Sequence, residues 1–230
     1  MDAADILARL RPLGSEHNRQ GMARFGINAA RALGVGMAPL RAMAREAGRD
    51  QALALALWET GVHEARILAC MVADPAQTDR TLLDAWAADC DSWDVTDQLC
   101  NKLAVKCAPA WELADAWSLR EEEFVRRAGF SLMAQLAVHD RKALDAAFEP
   151  FLCRIVQMSG DGRNFVKKAV NWALRQIGKR SPGLRLRAEA VAGELAGSAL
   201  QSARWIGRDA LREFAVRPVR QAQARRKALS

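Results

Sequence analysis

FVRRAGF from Phe124 and FVKKAVNW from Phe165 are one pattern written twice, 41 residues apart. In both, an aromatic and a Val precede two cations and an Ala, so the same helical face is built a second time. A period of this size is that of HEAT-type repeats, in which each helical unit buries its apolar face only against its neighbours. The pattern therefore predicts a short α-solenoid. The copies differ at one informative place, where Trp172 stands in the position that Ser131 holds in the first. Residues four apart are neighbours on a helix surface, so Lys168 and Trp172 share a stripe, as do Arg127 and Ser131.

Working outward, the composition agrees with an all-α chain. The 230 residues are 50% hydrophobic, Tyr is absent, and Ala, Leu and Arg dominate over β-branched residues, which favours helix and provides enough apolar surface for a sizeable core. Residues 1–215 are read as a single repeat domain and 216–230 as a basic, flexible tail too poor in apolar residues to pack. The N-terminus carries Asp2 and Asp5 and lacks a signal-peptide pattern, and no apolar run reaches the roughly 18 residues of a membrane helix. The expectation is a soluble, cytoplasmic protein. Cys70, Cys90, Cys100, Cys107 and Cys153 are odd in number and form no CxxC pair. Buried free thiols are expected in place of a disulfide framework or a zinc site.

The formal net charge is +7, but it is unevenly distributed: residues from 161 onward hold 16 Lys/Arg against 5 Asp/Glu, leaving 18 against 22 in the first 160. A basic surface suits polyanions, because each neutralised phosphate releases counterions, and it also suits a merely solvated face. Arg126, Arg127, Arg163, Lys167, Lys168, Arg175, Lys179 and Arg180 supply the cations around the doubled motif.

Punctuation residues divide the rest. A first helix is expected from Asp2 to Leu13, ended by Pro12 and Gly14, and a Gly-rich irregular connection from Phe25 to Gly36. Pro39 suits the first turn of a helix running to Ala47, and Asp50 caps a helix over Gln51 to Thr60. His63 and Glu64 begin an HExxH pattern that Ile67 ends, since the second His is required there. Glu64 and Arg66 are accordingly assigned structural ion pairs or hydrogen bonds. Pro75 and Thr78 open a further helix. Ser118 with Glu121 reads as a capping box for the helix carrying Phe124 to His139, and Asp140 restarts a helix to about Met158. Trp86, Trp111 and Trp117 read as packing residues.

The second stretch with chemical character is CDSWDVTDQLCNKLAVKC, Cys90 to Cys107. With Asp91 or Ser92 as cap, Val95, Leu99 and Leu103 form a buried stripe. Trp93, Asp97 and Asn101 share another face. An aromatic surface beside a carboxylate can receive a cation. The same spacing also fits a packed Trp and an Asp paired with a neighbouring cation.

Five blocks in order, Leu57 to Ala69, Asp91 to Leu103, Arg120 to Ala134, Arg163 to Arg180 and Ser202 to Glu213, resemble the DNA alkylation repair family, the HEAT-like-repeat DNA glycosylases of the AlkD type. The resemblance implies a concave basic face, no metal or organic cofactor, and excision of positively charged bases such as N3-methyladenine and N7-methylguanine from duplex DNA by a monomer. It places the catalytic aspartate at Asp97, the active-site tryptophans at Trp93 and Trp172, and a DNA-facing arginine at Arg127. Lys168, Arg126, Lys167, Arg163 and Lys179 complete the expected DNA-binding set. Ser92 before a single Trp departs from the family's best-known pattern. The alternatives are a non-catalytic repeat protein that binds damaged or branched DNA, and a protein-binding helical scaffold.

Overall fold

A computed structural model describes residues 1–217 and 219, and among these every regular element is helical. The chain forms two compact units, Met1–Ala110 and the stretch from Trp111 onward. The first contains α1 (Ala3–Leu10), α2 (Glu16–Arg24), α3 (Met37–Ala47), α4 (Gln51–Glu59), α5 (His63–Val72), α6 (Arg80–Ala88) and α7 (Trp93–Gln98). The second is built from α8 (Ala110–Ser118), α9 (Glu123–His139), α10 (Glu149–Met158), α11 (Asn164–Gly178), α12 (Pro182–Ala196) and α13 (Gln201–Val216). Apart from Val216, Arg217 and Val219, the expected basic tail lies outside the described residues.

Side-chain caps start many of these helices by satisfying amides that have no partner within the helix. Asp50 accepts from the Leu53 N–H at 2.9 Å as its spacing predicts, and Asp79 does the same for Leu82 at 2.8 Å. Several expected boundaries are corrected. The first helix gives way to a 3₁₀ turn at Arg11–Leu13, and α2 forms in a stretch whose polar sequence carries no apolar stripe. A 3₁₀ turn at Pro75–Gln77 precedes α6, whose cap is Asp79 and not Thr78. Ser118 ends α8 and donates its hydroxyl to the Asp115 carbonyl at 2.6 Å, so no capping box starts α9. Asp140 closes α9, and α10 begins only at Glu149 after a 3₁₀ turn.

In the first unit Trp58 stacks on Trp86 with ring centroids 4.2 Å apart, and the Trp58 Nε1–H donates to Asp89 at 2.9 Å. Fully buried Leu57, Leu68, Leu99 and Leu103 extend this core, each contributing about 2 kcal/mol from burial alone. In the second unit the doubled motif lies side by side. α9 packs on α11, and the rings of Phe124 and Phe165 stack 5.9 Å apart. The Gly in the first copy has a steric cause: a Cβ at Gly129 would lie 2.3 Å from the Ser118 backbone nitrogen, so α8 and α9 approach backbone to backbone. Val170 holds the equivalent place in α11 and is buried.

Candidate functional site

α7 is only six residues long and carries both Trp93 and Asp97, one turn apart and each half-buried. Val95, Leu99 and Leu103 hold it to the core with 1%, 0% and 0% exposure, which is the stripe expected from their spacing. From Leu99 to Leu103 the backbone widens into a π-helix, a distortion frequent at functional sites. Ser92 is the N-cap, yet its hydroxyl does not bond the helix amides. Asp94 takes that part, its Oδ1 accepting from the Val95 N–H at 3.0 Å and the Ser92 hydroxyl at 2.9 Å. The Thr96 hydroxyl donates to the Ser92 carbonyl at 2.8 Å and finishes the turn.

The second oxygen of Asp94 lies 2.8 Å from Nε2 of His63, at the first position of α5. Burial disfavours both charges, but their mutual hydrogen bond and attraction prevail. The His63 pKa is raised, with Glu64 and Asp91 adding to the effect, and that of Asp94 is lowered, with the Ser92 hydroxyl and the Val95 amide adding. Glu64 is 1% exposed and accepts backbone N–H bonds from Leu33, Gly34 and Val35 at 2.7 to 3.1 Å. Gly34 makes this nest possible, since φ is +81° and a Cβ would meet the Ser15 carbonyl oxygen at 2.2 Å. Arg66 donates to the Asp89 carbonyl at 2.9 Å and lies over the Trp58 ring. Glu64 and Arg66 are thus structural, as the failed HExxH pattern requires.

Phe25 opens the stretch expected from the sequence to be an irregular connection. The residue is 74% exposed and its backbone carbonyl accepts the Trp93 Nε1–H at 3.0 Å, so the start of this connection is tied to the Trp93 indole. A backbone carbonyl is common to every residue, so the residue type gave no signal of this contact.

Trp172 belongs to the second unit, on α11, where it is half-buried and Lys168 is exposed. The other expected DNA-binding cations are engaged within the protein. Arg126 and Arg163 share Asp161, at 2.7 and 2.6 Å, and Arg163 also donates to the Glu121 carbonyl at 2.6 Å. Asp161 is partly desolvated, but these cations hold its carboxyl at about 2. Lys179 meets Glu213 at 2.5 Å, and Lys167 lies 4.9 Å from the Trp205 ring centre. Arg127 is 6% exposed and donates to the Phe165 carbonyl at 2.7 Å. Asp161, Glu213 and one carbonyl thus draw most of these cations into the packing of α9, α11 and α13, while Lys168 stays exposed.

Four cysteines are buried and Cys153 is exposed, a correction to the expectation that all are buried. Burial pushes the Cys90 thiol up to about 12 and that of Cys107 to about 11, so neither offers a thiolate nucleophile near neutrality. Among the described residues no group of three His, Cys, Asp or Glu could hold a metal ion, and no helix is long and apolar enough to cross a membrane.

Comparison with known proteins gives the class first. A solved structure described as "a new family of proteins related to the HEAT-like repeat DNA glycosylases with affinity for branched DNA structures" matches with a TM-score of 0.73 at 23% identity, over 93% of this chain and 96% of the other. The fold is thus one of HEAT-like helical repeats. The model of the DNA alkylation repair enzyme family matches residues 6–214, and the chain belongs to that family. No curated protein matches it.

Proposed function

We propose that this protein is a monofunctional DNA glycosylase that releases positively charged N-alkylated purines, such as N3-methyladenine and N7-methylguanine, from duplex DNA. The observation that carries the reading is the pair on α7: Trp93 and half-buried Asp97 one turn apart, within a member of the DNA alkylation repair enzyme family. An N-alkylated purine already bears positive charge and leaves without a general acid. The enzyme has to stabilise the deoxyribose oxocarbenium as the glycosidic bond breaks. A carboxylate about 4 Å from that cation, at an effective dielectric near 20, is worth about 4 kcal/mol, of order a thousandfold in rate. Asp97 supplies this charge and orients the attacking water. Trp93 offers an aromatic face to the cationic sugar, and Lys168, exposed on α11, meets a backbone phosphate.

The experiment is single-turnover release of methylated purines from alkylated duplex DNA. The wild type releases them, and Asp97→Asn slows release about a thousandfold with duplex affinity retained. Absence of release by the wild type refutes the enzyme reading, whereas unimpaired release by Asp97→Asn refutes only the role of Asp97. A second reading has one observation in its favour, the affinity for branched DNA ascribed to the structural relative. It expects tight binding of a four-way junction without base release.

A further inference from the structure

The mechanism proposed for Asp97 uses neither His63 nor Glu64, although both are buried at the first turn of α5, with 5% and 1% exposure. They reach in two directions. Glu64 gathers the Leu33, Gly34 and Val35 amides, and the His63 backbone N–H donates to the Arg31 carbonyl at 3.1 Å. The Phe25–Val35 connection is therefore bound to the start of α5. Its other end holds the α7 entry: the Phe25 carbonyl accepts the Trp93 indole, and the Asn28 amide donates to Asp91 at 2.7 Å. The imidazole of His63 closes the circuit on Asp94, the residue next to Trp93.

α7 needs such a circuit. A six-residue helix is too short to hold its own direction, and this one runs directly into a π-helical turn. Its Trp is held through the ring nitrogen by the Phe25 carbonyl, and the next residue, Asp94, ties the same turn to His63. Asp97 follows Asp94 by three residues and takes its bearing from the same turn.

We propose that the His63–Glu64 pair is the positioning device of the candidate site, seating Trp93 and Asp97 through Asp94 and through the Phe25–Val35 connection. This rests on the glycosylase reading for its consequence in rate, but not for its consequence in geometry. His63 is a positioning residue. Buried on α5, it acts through Asp94, and a 1 Å displacement of a catalytic group can cost about 100-fold in rate.

The test compares His63→Leu, which removes the bond to Asp94, with His63→Gln, whose amide can restore it. The Trp93 indole N–H signal, identified in ¹H–¹⁵N spectra by its loss in Trp93→Phe, reports geometry without reference to activity. The expected result is a displaced Trp93 signal in His63→Leu, a single-turnover release rate lowered about 10- to 100-fold, and duplex affinity within about threefold of wild type. His63→Gln recovers both signal and rate. If His63→Leu does not fold, Asp94→Asn takes its place with the same expectations. An unmoved Trp93 signal in a folded variant overturns the proposal, as does a rate within threefold of wild type where the wild type is active. If the wild type releases no base but the Trp93 signal still moves, the glycosylase reading fails and the positioning proposal stands.

Discussion

α9 and α11 begin with the same signature and end in different circumstances. Arg127 and Lys168 hold the same place in the motif, yet Arg127 is 6% exposed and bonded to the Phe165 carbonyl while Lys168 is exposed. Ser131 is fully buried, whereas Trp172 is half-buried. Burial in α9 is unbroken from Arg127 to Ala137, but α11 leaves Lys168, Trp172, Arg175 and Gln176 outside its buried set. Repetition thus copies the core-facing positions, which apolar periodicity encodes, and leaves the polar face to be decided by what packs next to it. The same pair of cations becomes a strut in one helix and a surface charge in the other.

The sharpest way to break this comparison is Arg127→Ala. Removing a buried, hydrogen-bonded cation leaves the Phe165 carbonyl without that donor and opens a void, and urea denaturation should show a loss of about 3 kcal/mol. A loss below about 0.5 kcal/mol would make Arg127 equivalent to an ordinary surface cation. Next comes Asp161→Asn at the junction of Arg126 and Arg163. With its carboxyl held at about 2 against an ordinary 3.8, Asp161 stabilises the fold by about 2 kcal/mol above the ordinary value. That stability disappears as pH falls through about 2, and the Asn variant should lack this acid-dependent step.

A smaller effect concerns pH in the first unit. The raised pKa of His63 means that its contribution is fully present below 6.5 and is lost as pH rises through the raised value. Asp94, with a lowered pKa, contributes above 3.8 and ceases to do so as pH falls through its lowered value. The clamp is therefore strongest between pH 3.8 and 6.5, and His63→Leu should flatten the decline in stability on the alkaline side. Wild-type and variant curves that remain parallel from pH 5 to 9 would contradict it. The smallest effect on stability is that of Lys168→Ala, within about 0.5 kcal/mol. Its signature lies in DNA binding, where the slope of log affinity against log salt should fall by about 1.

Much of the architecture was legible in residue spacing. The doubled motif announced helices packing in register, Val95, Leu99 and Leu103 announced the buried face of α7, and Ile67 ruled out a zinc protease. Boundaries governed by short-range hydrogen bonds were less so. Ser118 and Glu121 have the spacing of a capping box, but the close approach at Gly129 leaves Ser118 closing α8, with its hydroxyl turned back to Asp115. α2 has so few apolar residues that periodicity could not reveal it. The long-range partners of the cations were not readable either, because Asp161 meets Arg126 and Glu213 meets Lys179 at separations of 35 and 34 residues, which no local pattern encodes.

By itself the sequence determined that this is an all-helical, repeat-built chain, and it marked Trp93, Asp97 and Trp172 as the residues that repetition does not account for. Its apolar periods and family motifs are local and cumulative, so they survive being read in one dimension. Only the tertiary structure decided which cations remain on the surface, that His63 and Glu64 brace the α7 entry, and that Phe25 adjoins Trp93. Those outcomes depend on single hydrogen bonds of 2.6 to 3.0 Å between residues that packing alone brings within reach.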